Sequence, residues 1–425
     1  MAELASRPGD RSAAKTLKFV QYLLRDVHPR NFTVELWDGS AGAPEKNQFH
    51  HFTWKINSPD VPVAIVHSSN RQVALGEAYV RGDFDIVGDI ESAFPLADYL
   101  INKEWSLAEK VHLASLVFDL PALKRNDDGN IAVRLSGKPH SKQRDGEAVR
   151  YHYDISNQFY ALWLDRNMLY SCAHFDDPAE DLDTAQEQKM NDICIKLRLK
   201  PGERLIDIGC GWGGLIIHAA REYGVHATGI TLSQGQADLA RKRIRTAGLS
   251  DRCEVRRLDY RDLDELGVCD KLGSVGMVEH VGESKLRDYF RCAFRVLRPG
   301  GMFLNSGITR AGNRAPSNEP TFTDVYVFPD GELVTIATIL ANAEEAGFEV
   351  RALENLREHY YQTTINWLHR LEARAAEARQ IVGDARYRTW HLYLAGSAYY
   401  FQKAWLGLCQ TLLIKNENCK WERTK

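Results

Sequence analysis

The stretch LIDIGCGWGG (residues 205–214) decides the fold. It begins as an apolar run typical of a buried strand and ends in closely spaced glycines. The strand delivers Asp207 to its carboxyl end, and Gly209, Gly211 and Gly213 form the turn into the next helix. Glycine lets the backbone approach a ligand closely, and doubly wound sheets bind their ligands at this edge. The stretch therefore predicts a ligand-binding turn.

Strand-like and helix-like segments alternate around this turn, after about residue 150. VHATGITL (225–232) and GMFLNSGIT (301–309) are strand-like, whereas SQGQADLARKRIRTAG (233–248) is helical and ends in glycine. Such alternation indicates an α/β fold with a doubly wound, mostly parallel sheet of the Rossmann-like kind. We expect helices over 366–380 and 388–415 to cover one face of the site.

The N-terminal part has a different pattern and predicts a separate, smaller α+β domain over residues 1–125, with a lipid-binding or accessory role. A helix is expected over 12–27, and FTVELWDG (32–39) and PVAIVHS (62–68) are strand-like. Residues 126–148 are rich in charged residues, Gly and Ser, and we interpret them as an exposed linker. The main domain is then 149–425.

Composition and charge argue against several classes of protein. The 425-residue chain is 44% hydrophobic and 26% charged, with a net charge of −3, which argues against a dedicated nucleic-acid binder. It has neither an apolar run long enough to span a bilayer nor a signal sequence, so we expect a cytoplasmic protein. Its eight cysteines lack the spacing of a zinc site, and no metal is expected.

Two features of the glycine turn favour S-adenosylmethionine over a dinucleotide as the cofactor. Asp207 stands before the first glycine, where a carboxylate can hold the ammonium of the methionine part. The next strand ends at Thr231 without the Asp or Glu that usually meets a nicotinamide ribose. The turn therefore predicts S-adenosylmethionine, and with it a class I methyltransferase domain.

Five motifs in this order resemble the cyclopropane-fatty-acid synthase family, which includes the mycolic-acid methyltransferases. The resemblance runs from about residue 150 to the C-terminus and extends to GEAYVRGDFDIVGD (76–89). The motifs are HYDISNQFYALWLDRNMLYSCAHF (152–175), LIDIGCGWGG (205–214), GITLSQGQ (229–236), SVGMVEHVG (274–282) and LRPGGMFLNSGIT (297–309).

The resemblance implies a set of cofactor contacts in this chain. The two residues that precede the motif cysteine would contact the methionine part, and the glycine turn would lie beneath it. The ends of the next two strands would hold the ribose and the adenine. The residues implied are Tyr170, Ser171, Asp207, Gly209, Gly211, Gly213, Thr231, Leu232, Gln236, Asp259, Tyr260 and Arg261.

The resemblance also implies a bound bicarbonate that removes a proton after methyl transfer to an alkene. In the family, a Cys, a Glu, a His, a backbone group and a Tyr hold the ion; Cys172, Glu279, Ile308 and Tyr360 match four of these positions. Ser306 stands where the family has its His, so the ion is either held with less charge assistance or lost, leaving Glu279 or a water as base. Ser397 stands where relatives often carry a Cys.

The implied reaction adds a methyl group to the cis double bond of a phospholipid acyl chain and closes a cyclopropane. Methyl or methylene branching is the alternative, because loss of a different proton from the same cation gives a branched product. Two more distant rivals are a small-molecule N- or O-methyltransferase and an inactive lipid-binding relative.

Access to such a substrate implies contact with a membrane surface. Basic residues of 15–30 or 139–150, with neighbouring apolar side chains, are the candidate contact. The expected location is the cytoplasm, with transient association at the inner face of the membrane. The resemblance also makes a homodimer plausible.

Overall fold

The computed structural model describes residues 11–45, 48–118, 120, 135–315, 317 and 319–416. They divide into two compact units. The N-terminal unit contains the described residues of 1–132, 317–327 and 383–399, and the catalytic unit those of 133–316, 328–382 and 400–425. The domain boundaries at residues 125 and 148 stay a prediction.

The first nine elements all belong to the N-terminal unit. In chain order they are α1 (Arg11–Leu23), β1 (Phe32–Leu36), β2 (Ala41–Gly42), β3 (Phe52–Ile56), α2 (Asp60–His67), α3 (Arg71–Arg81), β4 (Phe84–Gly88), α4 (Phe94–Asn102) and α5 (Leu107–Val117). The strands form one sheet in the order β2-β1-β3-β4. β1 and β3 run parallel and alternate buried with partly exposed residues, as expected of strands with one face on a core.

The strand predicted at 62–68 is wrong, because these residues belong to helix α2. Val61, Ala64 and Ile65 are buried at helical spacing. A short, almost continuous apolar run does not distinguish a buried strand from a buried helix, and the run was assigned to the wrong one.

The remaining elements follow residue 135. In chain order they are α6 (Lys142–Tyr153), α7 (Asn157–Ala161), α8 (Leu182–Lys196), β5 (Arg204–Ile208), α9 (Gly214–Tyr223), β6 (His226–Thr231), α10 (Gln234–Thr246), β7 (Cys253–Arg257), β8 (Cys269–Val275), α11 (Leu286–Val296), β9 (Leu297–Arg310), α12 (Phe322–Tyr326), α13 (Ile336–Glu345), β10 (Glu349–Asn355), α14 (Arg357–Ala373), α15 (Ala375–Val382), α16 (Asp384–Gln402) and β11 (Leu406–Ile414). Of these, α12 and most of α16 belong to the N-terminal unit.

The catalytic unit is built on a seven-stranded sheet in the order β10-β11-β9-β8-β5-β6-β7. Strands β9, β8, β5, β6 and β7 run parallel, and β11 runs antiparallel to both β9 and β10. Two separate clusters of buried apolar residues pack in this unit, as expected of a sheet covered by helices on both faces. The predicted doubly wound, mostly parallel sheet is confirmed.

Two predictions for the catalytic unit are corrected. Helix does not continue over 388–415, because α16 ends at Gln402 and the run LGLCQTLLI enters the sheet as β11. The segment 126–148 is not exposed throughout, because α6 starts at Lys142 and buries Asp145 and Ala148. Residues 126–134 of that segment lie outside the described residues. Over the described ranges, no helix is both long and apolar enough to cross a membrane.

Candidate active site

The glycine turn after β5 adopts a backbone that its sequence requires. Asp207 is 3% exposed near the end of β5. Gly209, Gly211 and Gly213 have φ of 84°, 53° and 81°, the left-handed region that glycine enters without strain. A Cβ on Gly209 would also lie 3.0 Å from Cγ of Met277. The turn therefore passes close to the loop that follows β8, at the carboxyl edge of the sheet.

A cavity opens at this turn and contains about 1060 Å³ of empty space, counting its open mouth. Gly213 is the one predicted cofactor residue outside the lining; it precedes α9, and a Cβ there would lie 3.1 Å from Cβ of Ala240. The others, all in the lining, are Tyr170, Ser171, Asp207, Gly209, Gly211, Thr231, Leu232, Gln236, Asp259, Tyr260 and Arg261.

Hydrogen bonds preset the side chains at the end of β6. The Thr231 hydroxyl donates to Gln236 Oε1 at 2.7 Å, and Ser233 donates its backbone N–H to Thr231 Oγ1 at 3.2 Å. Ser233 also caps α10, since its hydroxyl accepts from the backbone N–H of Gln236 at 3.0 Å. A short polar cap thus fixes the residues expected to hold the ribose.

An ion-pair cluster forms the opposite end of the cavity. Asp259 Oδ1 accepts from the backbone N–H and from Nε of Arg261, at 2.9 and 2.8 Å. The Arg261 guanidinium also donates to Asp145 Oδ2 at 2.5 Å. Burial raises the pKa of Asp145, and Arg261 opposes that shift. Asp145 and Val149 of α6 line the cavity, although sequence reasoning placed Asp145 in the linker and gave neither residue a role.

Lys189 of α8 is a lining residue that sequence reasoning missed. It is 2% exposed, and its Nζ donates to Ser171 Oγ at 2.7 Å. Burial lowers the pKa of Lys189 to about 8 and raises that of Asp207 to about 7, and each charge partly offsets the shift of the other. Oδ1 of Asp207 has no hydrogen-bond partner among the described residues. One signal was available: Lys189 lies four residues from both Ala185 and Ile193, and Gln186 lies four residues from Met190, all of them buried positions of α8.

Glu279 lies just beyond β8 with a half-satisfied, buried carboxyl group. Its Oε1 accepts from the backbone N–H of Ile308 at 2.6 Å, while its Oε2 is buried with no hydrogen-bond partner among the described residues. Burial raises the pKa of this carboxyl to about 7, against two backbone donors that lower it. Gly307 makes room for it, since a Cβ there would lie 2.1 Å from Val278 Cγ1 and 3.6 Å from Glu279 Oε1. At neutral pH this group can both take up and release a proton.

Neighbouring strands connect the other predicted catalytic residues to Glu279. Ile308 pairs with Leu408, whose carbonyl accepts from Leu356 at 2.8 Å. The Leu356 carbonyl accepts from the backbone of Tyr360 at 3.0 Å and from the Cys172 thiol at 3.8 Å. Neighbouring strands lie about 5 Å apart, so Leu356 is roughly 10 Å from Ile308. Glu279 and Ile308 are therefore in direct contact, and Cys172 and Tyr360 are joined to each other through the Leu356 carbonyl.

The two predicted serines differ in their surroundings. Ser306 is 3% exposed and precedes Ile308 by two residues, which places both on the same face of β9. Ser397 lies in α16, within the N-terminal unit, and its hydroxyl donates to the Tyr393 carbonyl at 2.8 Å. The catalytic role of Ser397 stays a prediction.

Aromatic rings enclose Tyr170 where it meets the cavity. Its ring centroid lies 5.4 Å from that of Trp163, 5.1 Å from Trp367 and 5.6 Å from His152. His280 lines the same cavity, and burial lowers its pKa to about 4. Tyr170 is therefore held in an aromatic cluster beside the cavity.

Most of this chain matches known proteins. Residues 140–411 match the model of a family described as mycolic acid cyclopropane synthetase, and residues 19–106 match a domain of unknown function. A probable fatty acid methyltransferase of Pseudomonas putida is 41% identical over 390 residues, which cover 90% of this chain and 91% of that protein. The cyclopropane-fatty-acyl-phospholipid synthase of Escherichia coli K12 is 35% identical over 65% of this chain and 69% of its own length.

Among solved structures, the mycolic acid cyclopropane synthase CmaA1, complexed with S-adenosylhomocysteine and CTAB, has a TM-score of 0.60. It is 29% identical and covers 64% of this chain and 98% of its own. The family model alone matches more than half of the chain. The predicted resemblance is confirmed: the chain belongs to the mycolic acid cyclopropane synthetase family of S-adenosylmethionine-dependent methyltransferases.

Proposed function

We propose that this protein transfers the methyl group of S-adenosylmethionine to the cis double bond of an unsaturated phospholipid acyl chain and closes a cyclopropane ring. The observation that carries the proposal is Glu279, a buried carboxyl with one unpartnered oxygen, just beyond the strand next to the glycine turn. Methyl addition to an alkene leaves a cation that must lose a proton. Glu279 Oε2 is an acceptor for it.

The residues around the cavity fit the proposed donor, which supplies an electrophilic methyl group on a sulfonium. Oδ1 of Asp207 is free to accept from the ammonium of the methionine part. Thr231, Gln236, Asp259 and Arg261 all line the cavity, which supports the proposal that the first two hold the ribose and the last two the adenine end. The aromatic cluster around Tyr170 keeps water away, so that no other nucleophile takes the methyl group in place of the weakly nucleophilic alkene.

Bicarbonate fits the predicted anion site only in part. The Ile308 N–H already donates to Glu279, and no positive side chain of the described residues contributes to the pKa of Glu279. A buried anion beside an ionised Glu279 would place two like charges together. The set therefore fits bicarbonate when Glu279 is protonated and Ser306 and Tyr360 act as donors. In either case the proton-bearing atom of this chain is Oε2 of Glu279.

Methyl or methylene branching is the second candidate, and two observations favour it. Ser306 is a short, uncharged side chain at a position where the family's histidine would assist deprotonation. The Pseudomonas putida relative, which matches 90% of this chain, is named as a probable fatty acid methyltransferase. Ring closure takes the proton from the added carbon of the first-formed cation. Methylene formation also takes it from the added carbon, but only after a 1,2-hydride shift has moved the cation onto the carbon that bears the methyl group. A methylated alkene forms when a neighbouring carbon loses the proton.

The deciding experiment uses a trideuteromethyl donor with vesicles of mono-unsaturated phospholipid and mass spectrometry of the fatty acids. A ring and a methylene branch each retain two deuteriums, and a methylated alkene retains three. Mild hydrogenation then adds two hydrogens to the methylene and alkene products but none to the ring. A Ser306→His variant run in parallel tests whether this position sets the product ratio and the dependence on bicarbonate.

Three outcomes would contradict the proposal. Branched products without any cyclopropane would favour the second candidate, methyl or methylene branching. Methylation of a soluble amine or alcohol in place of lipid would indicate a small-molecule methyltransferase. A chain that binds the donor but transfers nothing to lipid would be an inactive relative.

Membrane contact, a homodimer and location at the inner face of the membrane remain part of this proposal. Of the two candidate contact segments, 139–150 has two of its cations engaged, since Lys142 pairs with Asp262 and Arg144 with Asp330. Lys18 of α1 is exposed. We therefore expect Lys18→Glu to weaken binding to anionic vesicles in flotation assays at low salt, and an unchanged bound fraction would contradict the choice of α1.

A further inference from the structure

Lys189 is a fully buried cation that the proposed methyl transfer does not use. It is 2% exposed on the inner face of α8, and its Nζ reaches the lining of the cavity. Among the described residues, its one hydrogen-bond partner is the neutral hydroxyl of Ser171, at 2.7 Å. An ammonium carries three N–H donors, and burying it without an anionic partner is costly. Lys189 is therefore under-partnered as it stands.

The carboxylates that act on Lys189 do not complete its bonding. Asp165 accepts from the backbone N–H groups of Leu169 and Asn167, both at 2.7 Å, and is committed to that turn. Asp207 lines the same cavity and keeps its own Oδ1 unpartnered. A buried cation and a buried anion thus face one cavity, and each retains unused hydrogen-bonding capacity.

We infer that Lys189 and Asp207 form a two-charge clamp for the α-amino-carboxylate end of the methyl donor, in which Asp207 accepts from the ammonium and Lys189, with Ser171, donates to the carboxylate. This assignment rests on the proposed donor and goes beyond it. A zwitterion brings one charge of each sign, so the ligand satisfies both groups and leaves the net charge of the buried site unchanged. Lys189 is then a specificity residue that rejects donors lacking the carboxylate.

The clamp explains why the lysine and the aspartate do not simply neutralise each other through a direct bond. The Ser171 hydroxyl accepts a hydrogen bond from Nζ of Lys189. Ser171 and the adjacent Tyr170 both line the cavity. A lysine that served only to balance Asp207 would interact equally with any ligand bearing an ammonium. A lysine that binds carboxylate discriminates between ligands that differ in that group alone.

Calorimetry on the full chain tests this with two ligands, S-adenosylhomocysteine and its decarboxylated analogue S-adenosyl-3-thiopropylamine. Both carry the adenosine, the thioether and an amine, and only the first carries a carboxylate. We expect the wild-type protein to bind S-adenosylhomocysteine about 10- to 100-fold more tightly, the range of a charge-assisted hydrogen bond. In Lys189→Met that preference falls to near unity, through weaker binding of S-adenosylhomocysteine.

Lys271→Met is the matched control, because Lys271 is also a buried lysine, 5% exposed, and lies in β8 outside the cavity lining. It should leave the preference for the carboxylate unchanged. Lys189→Gln provides a second variant should the methionine variant fail to fold. The binding assay contains no lipid, so its result does not depend on which acceptor is methylated or which product forms.

Two results overturn the inference. One is a wild-type protein that binds the two ligands equally, which requires no variant at all. The other is a folded Lys189 variant that keeps the wild-type preference. Failure of the wild-type protein to bind S-adenosylhomocysteine would instead contradict the proposed donor.

Discussion

Asp207 and Glu279 are two buried carboxyl groups of one domain, and their surroundings differ in one respect. Burial raises the pKa of each to about 7, and each keeps one oxygen without a hydrogen-bond partner among the described residues. Asp207 has the buried cation Lys189 beside it. Glu279 is stabilised by backbone N–H donors, with no contribution from a positive side chain of the described residues.

This difference separates binding from proton transfer. The lysine favours the charged form of Asp207, and that form suits recognition of an ammonium. A carboxyl held only by the backbone changes its proton occupancy easily near neutral pH, and it suits a general base. The predictions below test this assignment of roles.

The largest effect is expected from Glu279→Gln, which keeps the acceptor for the Ile308 N–H and removes the basic oxygen. Methyl transfer to lipid should fall by about 10²- to 10⁴-fold, the usual contribution of a general base. Binding of S-adenosylhomocysteine should stay within about twofold of wild type, because Asp207 is untouched. Transfer is measured with radiolabelled donor, and near-normal turnover would contradict the role given to Glu279.

The same variant should change stability with pH in a defined direction. The pKa of Glu279 is about 7 in the folded chain, against an ordinary value of 4.5, so the folded state holds this proton more tightly than the unfolded state. The stabilisation of the folded state by this proton is complete below pH 4.5 and is lost as the pH rises through 7. Relative to wild type, Glu279→Gln should gain about 3 kcal/mol between pH 4.5 and pH 8. Denaturant unfolding at the two pH values measures this, and a constant difference would contradict it.

Gly307→Ala disturbs the surroundings of Glu279 through packing. The added Cβ would lie 2.1 Å from Val278 Cγ1, so the chain next to Glu279 must move. We expect a loss of about 1–3 kcal/mol of unfolding free energy and slower methyl transfer with unchanged binding of S-adenosylhomocysteine. Gly312→Ala is the control, since nothing lies within 4 Å of its added Cβ. Equal effects of the two variants would contradict the packing argument.

Asp145→Asn should have the smallest effect and act only on cofactor binding. It weakens the pair between Asp145 and Arg261 in the lining of the cavity. We expect S-adenosylhomocysteine to bind about 5- to 10-fold more weakly, the equivalent of roughly 1 kcal/mol. Asp262→Asn, which breaks the exposed pair with Lys142, should change nothing. An unchanged affinity of Asp145→Asn for S-adenosylhomocysteine would show that the pair between Asp145 and Arg261 does not contribute to binding.

Sequence reasoning predicted the glycine turn because its pattern is local. Asp207 and the glycines are adjacent in the chain, and the conformations of Gly209 and Gly211 leave little choice of residue. The neighbourhood of Glu279 and Ile308 was also anticipated, through family resemblance. Their hydrogen bond joins residues 29 positions apart, and no local pattern contains that information.

The errors have physical causes of two kinds. The run at 406–414 is buried between two strands and therefore has no polar face from which to read a period. Lys189 and Asp145 were missed because polar residues are usually exposed, and only the packing of α8 and α6 buries them against the cavity. Buried charges require partners from other segments, and such partners become visible only in three dimensions.

The N-terminal unit is drawn from three distant stretches of chain, and this limits how the protein can be divided. Phe322 packs against Gly76, and Arg388 donates to the carbonyls of Tyr79 and Phe84 at 2.5 and 2.7 Å. A truncation before residue 133 would strip these later stretches of their partners and leave an arginine that is 7% exposed without its acceptors. The methyltransferase fold of this chain cannot be isolated by a single cut, so expression trials and domain exchanges should carry 317–327 and 383–399 together with the first 132 residues.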